Sequence, residues 1–378
     1  MTPAPTQGPD PAPRTVHAAG SAPAPGPAFT SGTAPFALSV LDNASTGVGQ
    51  TAGDALDEVI ALARLADRRG FRRFWMSEHH AMPGAASPSP QLMLARLTAE
   101  TRRIRLGAGG VMLPNHAPLV IAEQFGVLDA LAPGRIDLGV GRAPGTDPGT
   151  AAALRRHRGS NDEFPHQVRE LLGFLGEGFP DDHAYRDVHA VPGPWQADQN
   201  RVPRPDTAPD LWILGSSTYS AALAGQLGRP YAFALQFGAG DVDAAMRLYR
   251  ESFRPSEALS EPYTLVSVPV IADHDPVEAR RQAGTAAMAM LRMLTRKGYS
   301  LLPPEEVEAY DATPEEQAIL DSYTRRFLNG TPQQVADALE RLHALTEVDE
   351  MMLVVMGHSR RAQARTVDLL ADHYGLPG

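Results

Sequence analysis

The chain has 378 residues, no cysteine and a formal net charge of −10. The missing cysteines exclude disulfides, thiolate nucleophiles and Cys-ligated zinc. The acidic balance argues against nucleic-acid binding, which ordinarily shows a basic face. No run of about 18 apolar residues occurs, so no membrane-spanning helix is expected, and a reducing cytoplasmic setting fits the composition.

Residues 1–34 are rich in Pro, Ala, Gly, Ser and Thr. Such a stretch has little to bury and is expected to be a disordered tail. It lacks the apolar core of a secretory signal. The first strand is expected at 36–41. A helix follows, capped by Asp54, with a buried stripe at Leu56, Val59, Ala63 and Ala66 and an end at Gly70. The second strand covers 73–77 and its helix 90–100. The third strand starts over 104–108, followed by a helix at 118–131. The fourth covers 135–140, with a long loop before a helix at 166–175. Residues 176–209 read as irregular. Strand five at 211–214 precedes a helix at 218–227, and strand six at 231–237 a helix at 242–253. Strand seven at 265–271 leads to a helix at 276–294. An insertion with some helix spans 297–330. Thr331, Pro332 and Gln334 then form a helix start with a capping-box pattern. The eighth strand lies at 351–356, and a last helix runs to about residue 373.

Alternating strands and helices imply a parallel sheet, and eight strands are the number that closes a barrel. The expected fold is therefore a (β/α)₈ TIM barrel over 35–378, with insertions after strands 4 and 7. A doubly wound open sheet is the structural rival.

A parallel barrel carries its chemistry at the carboxyl ends of its strands. Strand two ends in Ser77-Glu78-His79-His80. Neighbours on an extended segment point to opposite sides, so only one of the two imidazoles should face the mouth. A buried structural His, a proton-handling His beside a cofactor, and a metal set completed by Glu78 and His116 all remain open. The metal set is the weakest of the three, because it lacks a helical His pair. Gly109-Gly110 ends strand three, and it either admits a flat ligand or marks a β-bulge. Gly141-Arg142 brings a cation able to clamp a phosphate, or a surface Arg. Gly215-Ser216-Ser217 opens a helix, as an anion site or as a plain Ser cap. Taken together, the three features suit a ligand with a flat ring system at one end and a phosphate at the other, as in flavin mononucleotide.

These stretches, with Pro133-Gly134-Arg135-Ile136-Asp137-Leu138-Gly139 and Ala143-Pro144-Gly145-Thr146-Asp147-Pro148, resemble the luciferase-like monooxygenases, most closely their MsnO8-type subgroup. The resemblance runs from about Phe36 to the C-terminus. It implies a barrel that uses reduced flavin, FMNH₂, or in some branches the deazaflavin F420. It makes His79 the proton-handling catalyst. It places Gly109, Gly110 and Val111 at the isoalloxazine, with a non-prolyl cis peptide at the glycines. Arg142, Gly215, Ser216, Ser217 and Tyr219 fall at the phosphate. Gly141 stands where bacterial luciferase has a reactive Cys, so the luciferase substrate and light emission are not implied. The activity implied is a two-component monooxygenase that forms a C4a-peroxyflavin from FMNH₂ and O₂ and oxygenates a small organic substrate, with secondary metabolism as the setting. A separate flavin reductase and a homodimeric assembly are expected, and no resident metal. The alternatives are an F420-dependent dehydrogenase or reductase and a non-catalytic flavin-binding barrel.

Overall fold

The structure, a computed structural model, describes residues 32–377 except 158, 238, 239 and 296, and the backbone alone of Glu177. Most of the expected tail, residues 1–31, lies outside the described residues. Its last residues are docked: Thr33 donates its backbone N–H to the Tyr374 carbonyl at 2.8 Å, and Ala34 is buried.

All described strands pair in parallel. They are β1 (Ala37–Asp42), β2 (Arg73–Met76), β3 (Arg105–Met112), β4 (Ile136–Gly141), β5 (Asp210–Gly215), β6 (Tyr231–Ala234), β7 (Thr264–Ala272), β8 (Leu328–Gly330) and β9 (Glu350–Val355). The strands β1 to β7 and β9 close a ring, because β6 pairs with β7, β7 with β9, and β9 with β1. The expected eight-stranded barrel is therefore present, and the open-sheet rival is not. The three-residue β8 pairs with β7 alone, at its carboxyl end, and was not anticipated from the sequence. Among the described residues no helix is long and apolar enough to cross a membrane.

Between and after the strands run helices α1 (Ala52–Arg68), α2 (Pro90–Glu100), α3 (Pro118–Leu131), α4 (Pro148–Ala153), α5 (Phe164–Leu172), α6 (Pro194–Asn200), α7 (Thr218–Gln226), α8 (Val242–Ser252), α9 (Pro276–Leu294), α10 (Pro304–Glu308), α11 (Pro314–Thr324), α12 (Pro332–Thr346) and α13 (Arg360–His373), and several boundaries differ for physical reasons. Helix α1 (Ala52–Arg68) is capped by Thr51, and Asp54 is its N3 partner in a reciprocal capping box. Strand β6 stops at Ala234, where a 3₁₀ turn (Leu235–Phe237) begins. The segment 176–209 contains helix α6 (Pro194–Asn200), which starts on a proline suited to a first helical turn. The segment after β7 holds helices α9 (Pro276–Leu294), α10 (Pro304–Glu308) and α11 (Pro314–Thr324).

Alternation along the strands separates two cores. Leu38, Val40, Phe74, Leu106, Leu138 and Val266 point outward and pack under the helices. Leu41, Trp75, Trp212, Leu265, Met352 and Val354 point inward, where Leu301, Phe327 and the Ala283–Ala286–Ala289 side of α9 join them. The segment after β7 thus roofs part of the barrel. It is fastened to the loop after β1: Val48 N–H donates to the Leu301 carbonyl at 2.9 Å.

The N-terminal ends of the strands form a charged floor. Arg73, buried at 4% exposure, reaches Asp137 and Glu350 at 2.9 Å each. Arg105 binds Asp137 at 2.6 Å, Trp75 Nε1 donates to Asp137 at 2.9 Å, and the Tyr263 hydroxyl donates to Glu350 at 2.8 Å. Burial raises the Asp137 carboxyl, but Arg105 and Arg73 overcome it and hold the acid below its usual range. Above the floor, Trp75 and Trp212 meet edge to face at 5.2 Å. Glycine on the neighbouring strands makes the room. A Cβ on Gly107 would lie 2.5 Å from Trp75 Nε1.

Candidate functional site

The loops that follow β2, β3, β4 and β5 meet at the carboxyl end of the barrel. After β2 the alternation expected from the sequence holds. Ser77 Oγ lies 3.1 Å from His79 Nδ1, whereas His80 Nε2 donates to Glu78 Oε1 at 2.8 Å. The two imidazoles thus have separate partners. Burial lowers the basicity of His79, with His80 acting in the same direction and Glu78 against it. The balance favours the neutral imidazole over the protonated one.

The Gly109–Gly110 peptide is cis, and the register against β4 shifts between Gly109 and Val111. The bulge reading and the resemblance-based reading therefore meet at one bond. Both glycines are also required by packing. A Cβ on Gly109 would come within 2.8 Å of Leu41 and Trp75, and one on Gly110 within 2.9 Å of the Gly139 carbonyl and Leu214. Val111 is fully buried in the outer core. Its side chain faces the helices, so only its backbone is placed near the glycines.

Arg142, half-buried just beyond β4, stacks its guanidinium over the Tyr219 ring at 4.4 Å. It has no carboxylate partner among the described residues. Tyr219 is in the first turn of α7 (Thr218–Gln226), whose N-cap Ser217 makes no side-chain cap hydrogen bond. A helix start carries free amides and the positive end of the dipole. Ser216 is half-buried and Ser217 exposed, so their hydroxyls remain accessible. Gly215 serves the packing of helix on strand, since a Cβ there would lie 2.0 Å from Ser220 Oγ. A cation without a counter-ion, a helix start and two free hydroxyls suit a phosphate monoester.

Sequence reasoning missed Arg156. Its guanidinium donates to Asn115 Oδ1 at 2.9 Å and to the carbonyl of Arg142. Nothing in a long loop singles out one arginine among several. Glu78, His80 and His116 do converge, with ligand atoms within 4.8 Å of one another. The two imidazole nitrogens lie 2.8 and 2.9 Å from Glu78 Oε1. Those are hydrogen-bond lengths, whereas ligands about 2.1 Å from a tetrahedral ion stand about 3.4 Å apart. The group is better described as a carboxylate receiving two N–H donors than as a metal centre. A separate cavity of about 390 Å³ lies at the opposite, N-terminal end, lined by Phe36, Arg72, Tyr263 and His343 among others. It contains none of the strand-end groups at the carboxyl face.

A family model described as luciferase-like monooxygenase matches residues 35–347. The chain is 39% identical over 338 residues to a luciferase-like monooxygenase of Escherichia coli K12, covering 89% of this chain and 96% of that protein. It is 32% identical over 340 residues to the N-acetyl-S-alkylcysteine monooxygenase of Bacillus subtilis, covering 89% and 97%. The crystal structure of apo-MsnO8 superposes with a TM-score of 0.80 at 34% identity, covering 90% of this chain and 99% of that one.

Proposed function

This chain belongs to the luciferase-like monooxygenase family, and on that premise we propose a two-component enzyme that takes reduced FMN from a separate flavin reductase and oxygenates a small organic substrate. The observation that carries the cofactor assignment is Arg142, stacked on Tyr219 beside the start of α7 with no carboxylate to neutralise it. A buried or half-buried cation without a partner is costly unless a ligand supplies the anion. The relative named for N-acetyl-S-alkylcysteine supports a small organic substrate.

Reduced flavin, when bound, supplies the electrons that activation of O₂ requires. The protein's residues do the rest. Arg142, Tyr219, Ser216 and Ser217 hold the phosphate. The Gly109–Gly110 edge offers backbone, free of side chains, to a flat ring. His79, neutral and oriented by Ser77, takes or returns a proton at the reacting edge. The apolar interior and its roof keep water from the reaction.

Equilibrium titration with FMN, riboflavin and F420 tests the assignment. FMN should bind at least about tenfold more tightly than riboflavin, and more tightly than F420. Arg142→Ala should erase the advantage over riboflavin. Equal binding of FMN and riboflavin by the wild type would overturn the phosphate site, and preference for F420 would make the enzyme a dehydrogenase or reductase. Mixing the FMNH₂ complex with oxygen should give a spectral transient before the oxidised flavin appears. Direct reoxidation at the rate of free FMNH₂ would sink the monooxygenase reading.

A further inference from the structure

We propose that Glu78 is a positioning residue, the hub of a hydrogen-bonded clasp that holds the loops after β2, β3 and β4 in the arrangement His79, the Gly109–Gly110 edge and Arg142 require. The hub itself is fully buried. From its own loop it accepts His80 Nε2 at 2.8 Å. From the last residue of β3, two residues beyond the cis bond, it accepts Met112 N–H at 3.2 Å, and from the loop that follows it accepts His116 Nε2 at 2.9 Å. Asn115 Nδ2 lies 3.5 Å away and donates to the Pro144 carbonyl, beyond β4, at 3.0 Å.

The chain of bonds continues. Asn115 Oδ1 accepts from Arg156, which in turn donates to the Arg142 carbonyl. Thr146 Oγ1 closes the circuit by donating to the His80 carbonyl at 2.7 Å. A buried carboxylate with several donors of this kind is rigid, because each donor it released would leave the anion short of solvation. The loops are fixed by it without any of its atoms being needed at the reacting centre. Its negative charge also opposes the burial of His79, raising that imidazole's affinity for a proton. The other charged and titratable groups at this corner are His80 on the same loop, His116 after β3, Arg142 and Arg156 beyond β4, and Asp42 at the end of β1.

The inference rests on the flavin reading only for the role of the site, so its test begins without flavin. The His79 ring resonances, assigned by loss in His79→Ala, are titrated by NMR in the flavin-free protein. Wild-type His79 should titrate below the ordinary histidine range, and Glu78→Gln should lower it further, by about half a unit or more. FMN affinity should fall about tenfold in Glu78→Gln, because the loop carrying Arg142 loses its anchor. Asn115→Ala keeps the carboxylate and both imidazoles but cuts the link to Arg156. It should weaken FMN binding while leaving the His79 titration unchanged. Should Glu78→Gln fail to fold, Asn115→Ala decides: unaltered FMN affinity in the folded variant overturns the proposal. So does a folded Glu78→Gln with wild-type His79 titration. Zinc added to the flavin-free wild type should leave the His80 and His116 resonances in place, and a stoichiometric shift would replace the clasp with a metal centre.

Discussion

Arg73 at the floor and Arg142 at the mouth carry the same guanidinium in opposite states. Arg73 is almost wholly buried and is saturated by Asp137, Glu350 and the face of Trp212, 4.5 Å from its ring centre. Arg142 is half-buried, stacked on one half-exposed tyrosine and without a carboxylate. The first is bound into the fold by neighbours from three other strands. The second is left incomplete by the fold, which on the proposed reading leaves it for the anion of a ligand. The teaching is that charge alone does not separate structure from function here, whereas the state of charge compensation does.

The sharpest way to break this contrast is at the floor. Glu350→Ala would leave Arg73 buried with half its compensation, and the expected loss is about 3–5 kcal/mol in chemical denaturation. A loss below about 1 kcal/mol would show that the floor is hydrated and that the comparison fails. Asp42 is the counterpart acid at the mouth end, buried with no ion pair among the described residues. Burial pushes its carboxyl up to about 6, with the Ala44 N–H and Arg360 only partly opposing. A folded value above the ordinary 3.8 means that its favourable contribution is complete below about pH 4 and is lost as the pH rises through about 6. Asp42→Asn keeps an acceptor for the Ala44 N–H. Its stability relative to wild type should therefore rise between pH 4 and 6, by up to about 3 kcal/mol, and a pH-independent difference would refute this account.

Gly107→Ala probes the layer between the two ends. Its Cβ would collide with the Trp75 indole, and overpacking of this kind costs about 1–3 kcal/mol. A blue or red shift of tryptophan emission should accompany the loss. The smallest effect belongs to Arg142→Ala, which should change stability by no more than about 0.5 kcal/mol while weakening FMN binding. A large destabilisation there would make Arg142 a structural residue like Arg73.

The barrel was legible because eight short apolar runs alternate with helical patterns, and that pattern requires no knowledge of partners. The strand-end runs that hold Gly109, Gly110, Arg142 and Ser216 were picked out by one rule, that strand ends at one face share a site, whereas the choice of His79 and Tyr219 rested on the family resemblance. The rest depended on contacts distant in sequence. Arg73 and Glu350 are 277 residues apart, and no local signal pairs them. The Val111 side chain turns to the outer core, because the bulge at the preceding glycines changes the alternation, so only its backbone stays beside them. Asp54 was read as the cap because acids favour helix starts, yet Thr51 three residues earlier takes that place. The need for glycine at 109 and 110 was visible, but its packing cause, Trp75, Leu41 and Leu214, was not.

The roof over residues 297–327 is joined to the loop after β1 through Leu301, and it meets the barrel interior through Leu301 and Phe327. None of the residues assigned to the phosphate, the glycine edge or the floor belongs to it. On the proposed reading, selectivity for the molecule to be oxidised can diverge by exchange of this one excursion, while the electron-carrying half of the site is inherited intact. A chimaera bearing another homologue's excursion should retain its flavin affinity and acquire that homologue's substrate range.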